Sequence, residues 1–120
     1  MKLRIFSILF LAIPILSFSQ DIAKKHPYFI ALYTIGEHWD LNKQPNEQPY
    51  FKEHSVFLSN LRADGTITIG ARYGDTGMVV IKASDIEMAK SILMTDKAVE
   101  NKLFKIEIHP FSPFYKGCLE

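Results

Sequence analysis

The order of elements in this sequence is β-α-β-β-α-β, which predicts an α+β domain with a four-stranded antiparallel sheet and both helices on one face. Three observations carry that expectation. Apolar residues of 50–61 recur on a helical period, whereas those of 66–69 and 104–109 alternate with polar ones. Glycine- and proline-bearing links separate the segments. Each half of the chain then reads as strand, helix, strand with short internal connections.

Tyr28 to Ile35, "YFIALYTI", is aromatic and β-branched, as buried strands are. "GEHWDLNKQPNEQP" follows as a loop of 14 residues, a length that in small domains often goes with function. Pro49 suits the first turn of the next helix. That helix is expected to end near Ala63, with Gly65 as the left-handed residue past its end. "TITIG" sets Thr66 and Thr68 against Ile67 and Ile69, a strand with one buried face. "ARYGDTG" turns the chain through Gly74 and Gly77, and "MVVIKA" is a third strand. Ser84 and Glu87 form S-x-x-E, a capping box opening a helix whose apolar face is Ile86, Ala89, Ile92 and Leu93. Asp96 to Leu103 reads as a further helical turn or two. "FKIEIHPF" alternates Phe104, Ile106 and Ile108 against Lys105, Glu107 and His109, a fourth strand ended by Pro110 and Pro113. The result is a ferredoxin-like arrangement of the dimeric α+β-barrel type. Its second sheet face is left apolar and bare, so a homodimer with sheet packed on sheet is expected.

The first residues carry a different signal. Lys2 and Arg4 precede an apolar run from Ile5 to Leu16, and small residues Ser17 and Ser19 follow. This reads as a secretory signal peptide over 1–19, too short and too proline-broken for a membrane helix. The expected organisation is that signal, a lead-in over 20–27, one domain over 28–114 and a tail over 115–120. Export to the periplasm or outside the cell follows, with no membrane insertion after cleavage. A net charge of +1 without a basic stripe argues against nucleic acid as a partner. Cys118 is the single cysteine, so no disulfide can form within the chain, and a free thiol is expected.

His54 is the residue that calls for an explanation. In "YFKEHSVFLSNL" it falls near the middle of the face formed by Tyr50, Phe51, Phe57, Leu58 and Leu61. A core histidine bonded to a backbone carbonyl is one reading. A general acid/base aimed into a pocket is the other. A carboxylate would fix its tautomer, and Asp75 and Asp64 are the candidates. Asp64 lies ten residues on, roughly 15 Å along the helix, so Asp75, on the hairpin after strand two, ranks slightly above it. Both also suit turns. Asp96 reads first as a cap or turn residue. Arg72 could clamp a carboxylate or phenolate oxygen, and Tyr33, Trp39 and Tyr73 could line an aromatic pocket. His38 and Asp40, and the isolated His26 and His109, lack metal-site spacing, so no metal and no cofactor is expected.

Together these features resemble the YciI-like, or YCII-related, domain family. They are an aromatic first strand, a helix with central His54 followed by Phe57, Leu58 and Leu61, and Asp64-Gly65 at its end. Ile69-Gly70-Ala71, Gly74-Asp75, Asp96 ahead of Leu103-Phe104 and a closing Ile108-His109-Pro110-Phe111 complete the set. "GEHWD" from Gly36 to Asp40 is similar to one branch of that family. The resemblance spans residues 28–114. It implies an α+β dimer with a cleft beside the first helix and a His-Asp pair as its active site. One member is a dehydrochlorinase of a chlorinated hydroxyquinol, and small lactone isomerases share the fold. Lys97, Lys102 and Ala71 stand where the family commonly has Pro, Gly, and Pro or Gly. The expected function is cofactor-free lyase or isomerase chemistry on a small aromatic or carbonyl compound. His54 would move the proton, Asp75 or Asp64 would orient it, and Arg72 would steady an oxyanion. The alternative is a non-catalytic small-molecule-binding or assembly module of the same fold. Convergence of His54 and a carboxylate on a reachable cavity separates the two.

Overall fold

Eight elements follow one another in the computed structural model, which describes residues 27–117. They are β1 (Tyr28–Ile35), a 3-10 turn (Pro45–Glu47), α1 (Phe51–Ala63), β2 (Ile67–Tyr73), β3 (Thr76–Lys82), α2 (Ile86–Leu93), α3 (Lys97–Glu100) and β4 (Phe104–Phe111). The expected signal peptide and Cys118 lie outside the described residues. The sheet order is β2-β3-β1-β4, with every neighbouring pair antiparallel. This is the ferredoxin-like α+β arrangement. Among the described residues no helix is long and apolar enough to cross a membrane.

One sheet face carries the core. Phe29, Ala31 and Tyr33 of β1 and Val79 and Ile81 of β3 are buried against Ala89 and Leu93 of α2 and Val99 of α3. Phe57, Leu58 and Leu61 bring α1 onto the same cluster. This is the helical spacing expected for that face, and burial of such side chains contributes about 1.5–3 kcal/mol each. Tyr50 of the anticipated apolar stripe lies outside the helix and stays 41% exposed.

Several boundaries differ from expectation, each for a local reason. Pro49 precedes α1 rather than starting it, because Tyr50 at the N-cap takes a left-handed φ of 68°. Gly65, as expected, is left-handed past the other end, at φ 82°. The second helix is capped by Asp85, whose carboxylate accepts from Met88 N at 2.7 Å, so Ser84 is not its cap. Strand β2 runs on to Tyr73, and residues expected in the turn, Ala71 to Tyr73, pair with β3 instead. Its expected buried face is only partly so: Ile67 is half-buried, but Ile69 is 43% exposed beside a register shift. Pro110 sits inside β4, not at its end. An edge strand needs no outward N–H there, and β4 is an edge.

The long loop after β1 is ordered from within and from the side. Gln48, buried, accepts from Asp40 N at 3.0 Å and donates to Asp40 O at 2.6 Å and Lys43 O at 3.2 Å. Gly36 N donates to Leu103 O at 2.7 Å, and His38 N to Lys102 O at 3.1 Å. The loop start is thereby welded to the entry of β4. Lys102 has φ 60°, the left-handed region where glycine is cheapest.

Candidate functional site

His54 and Asp96 meet. Nδ1 of His54 lies 2.5 Å from Oδ2 of Asp96, across 42 residues of sequence. The carboxylate is wholly buried, and the histidine side chain is 11% exposed. Asp96 is held from both sides, because its other oxygen accepts from Ala98 N at 2.9 Å as the N-cap of α3. The capping role read from the sequence is therefore real, and it also aims the carboxylate. The expected partners are elsewhere. Asp64 is an exposed residue at the end of α1 that accepts from Thr66 N at 2.9 Å, and those bonds hold its carboxyl below the usual range. Asp75 stands at the β2–β3 turn and bonds neither nitrogen of His54.

This pairing orients the imidazole. With the Asp96 carboxylate as acceptor, Nδ1 is the donor. Nε2 is left with its lone pair and has no partner among the described residues. Rings fix the imidazole plane: Phe104 at 4.7 Å between centroids, Tyr33 at 5.2 Å edge-on, Phe51 at 6.4 Å. Trp39, carried by the anchored loop, packs on Phe104 at 5.6 Å.

Tyr33 is 4% exposed and its hydroxyl has no hydrogen-bond partner. Burial pushes its phenol well above the ordinary tyrosine range, and the Asp96 carboxylate pushes the same way. It therefore stays protonated and can only donate to an anion. A proton held more tightly in the folded state stabilises the fold below the unfolded-state value of about 10 and ceases to do so as pH rises beyond it. Tyr33 is expected to show no phenolate absorbance before alkaline unfolding, with stability falling above about pH 10. A spectrophotometric titration alongside circular dichroism checks this. Tyr33 ionising with the fold intact near its ordinary value would contradict it.

A cleft of about 1280 Å³ opens between α1 and the β2–β3 hairpin. His54, Tyr33, Trp39, Phe51 and Phe104 border it, as do Arg72 and Asp75. Ser55, Leu58, Ser59 and Arg62 line it along α1 at the i, i+3, i+4, i+7 spacing of one helix face. Of the expected pocket residues, Tyr73 is not on it: the strand alternates, and Tyr73 pairs with Thr76 on the opposite sheet face, 54% exposed. Sequence reasoning passed over Arg62, whose signal was its place one helical repeat beyond Ser55. No set of three or more His, Cys, Asp or Glu side chains able to hold a metal occurs among the described residues. No protein-family model matches this chain, and no curated protein matches it in sequence.

Proposed function

We propose that this chain is a YciI-like protein catalysing cofactor-free proton transfer, an elimination or an isomerisation, on a small aromatic or carbonyl-bearing molecule. The observation that carries this is His54, paired with the buried Asp96, bordering an aromatic-walled cleft. Nε2 would take a proton from carbon and return it elsewhere. Asp96 would hold the tautomer and stabilise the imidazolium that forms. Arg72 borders the same cleft and would steady negative charge on oxygen. The departures from the family pattern have a physical reading. Lys97 is the first residue of α3, the position that suits proline, and Lys102 occupies a left-handed conformation that suits glycine. A binding module would need neither a buried carboxylate nor a fixed tautomer, so the catalytic reading is favoured over the non-catalytic one.

Proton transfer can be tested before the product is known. In D2O, NMR follows loss of C–H signals from a panel of lactones, enones and hydroquinols. The wild-type protein is expected to accelerate exchange of at least one, and His54→Ala to lower that rate about 10²-fold or more. Exchange unchanged in His54→Ala would remove the proposal.

The proposed assembly is a homodimer, and export is proposed from the N-terminal sequence. On the sheet face away from the helices, Ile30, Leu32, Ile69, Ala71, Met78 and Val80 form an apolar band by register. Light scattering coupled to size exclusion is expected to give a dimer at micromolar concentration. A monomer there would contradict the sheet-on-sheet assembly.

A further inference from the structure

The geometry points to a carboxylate-bearing substrate seated over Gly77, with its anionic group on Arg72 and its reacting carbon at His54. This rests on the catalytic reading of His54 and adds the substrate class. The cross-strand register supplies the argument. Arg72 of β2 pairs with Gly77 of β3, and Gly77 pairs with Tyr33 of β1. Tyr33 is on the helix-facing side, so all three share it. The His54 ring stands 5.2 Å from the ring of Tyr33. In the row Arg72–Gly77–Tyr33 the middle position has no side chain.

That gap is real space. A Cβ at Gly77 would meet only Tyr33 Cβ, at 3.7 Å, which is ordinary contact. One row down, Gly70 faces the same side opposite Val79, and a Cβ there would also meet nothing closer than 3.9 Å. Neither glycine is needed for a positive φ. What both omit is side-chain volume beneath α1. Arg72 and Tyr33 are two strand spacings apart, roughly 10 Å between backbones. A guanidinium reaching inward from one side and the His54 ring from the other leave room for about one ring with a substituent. Among the described residues Arg72 has no ion-pair partner. Its planar fork matches a carboxylate in two hydrogen bonds. Aromatic walls from Trp39, Phe51 and Phe104 suit a flat apolar body. The protein's near-neutral charge gives no general attraction for anions, so any such preference would be local.

Benzoate and phenylacetate test this against their neutral amides. Trp39, the chain's single tryptophan, reports binding by fluorescence, and NMR locates it. The expected result is saturable binding of at least one acid that shifts the His54 ring and Gly77 amide signals. The matching amide should bind at least about tenfold more weakly, as should the acid to Arg72→Gln. Gly77→Val should abolish binding with the circular dichroism spectrum unchanged. Equal affinity for acid and amide would overturn the inference. So would an unaffected Arg72→Gln variant, shifts away from the cleft, or no binding of either acid at millimolar concentration. Acid binding in this pattern without deuterium exchange removes the catalytic reading and leaves the anion site standing. Exchange that ignores Arg72→Gln does the reverse.

Discussion

Asp96→Ala should lower stability by roughly 3 kcal/mol, the sum of a helix N-cap of about 1 kcal/mol and a charge-assisted hydrogen bond of about 1.5–3 kcal/mol. Both interactions belong to one buried carboxylate, so neither can be replaced by solvent. Chemical denaturation measures the loss, and a drop below about 1 kcal/mol would mean that the pair is incidental. Asp96→Asn is the more informative change. The amide has one oxygen, and Ala98 N and His54 Nδ1–H both require an acceptor. If the oxygen keeps the cap, the NH2 group faces Nδ1. The imidazole must then move its proton to Nε2, the atom that would act as base. Stability should fall by only about 1 kcal/mol, while proton-transfer activity should fall by orders of magnitude, as expected of a wrong-tautomer histidine. An active Asp96→Asn variant would separate the buried carboxylate from the chemistry.

Gly36→Ala is the second large effect, and it acts through backbone contact rather than through a charge. A Cβ at Gly36 would collide with the carbonyl oxygen of Lys102 and stand 2.8 Å from its carbon. Neither atom can rotate away, since both are backbone. The clash would also push apart Gly36 N and Leu103 O, together with His38 N and Lys102 O. Overpacking costs of this kind run to about 1–3 kcal/mol or more. The strain should fall on the loop first, because its other anchor, Gln48, lies inside it. Trp39 would leave Phe104, opening the aromatic end of the cleft. Thermal melting and Trp39 fluorescence together check this. An unchanged melting temperature with native fluorescence would show that the loop is not clamped there.

The strands and helices were legible because their signals are local. β1 has the bounds that its aromatic content suggested, and β4 starts where its alternation suggested and runs on through Pro110. His54 stood out because a polar residue interrupted a helical apolar face. Its partner did not, for a physical reason. Asp96 is a good cap, and a cap explains an aspartate completely at the level of sequence. That its second oxygen is free to turn inward depends on α3 packing beside α1, 42 residues away. Asp75 ranks slightly above Asp64 by linear geometry, yet Asp64 stands at an exposed helix end and Asp75 at the β2–β3 turn, and neither bonds His54. Tyr73 was one residue out of phase, and in a strand that is the whole difference between faces. The cleft beside the first helix follows from the family resemblance, and Tyr33, Trp39 and Arg72 border it as expected; the open space over Gly70 and Gly77 was not legible.

The decisive measurement is a long-range 1H–15N correlation spectrum of the His54 ring at a pH where the ring is neutral. The expected result is the Nδ1–H tautomer, with its ring proton shifted far downfield by the Asp96 carboxylate, switching to Nε2–H in Asp96→Asn. An Nε2–H tautomer in the unmodified protein, or a spectrum that Asp96→Asn leaves unchanged, would mean that His54 and Asp96 do not form a working pair.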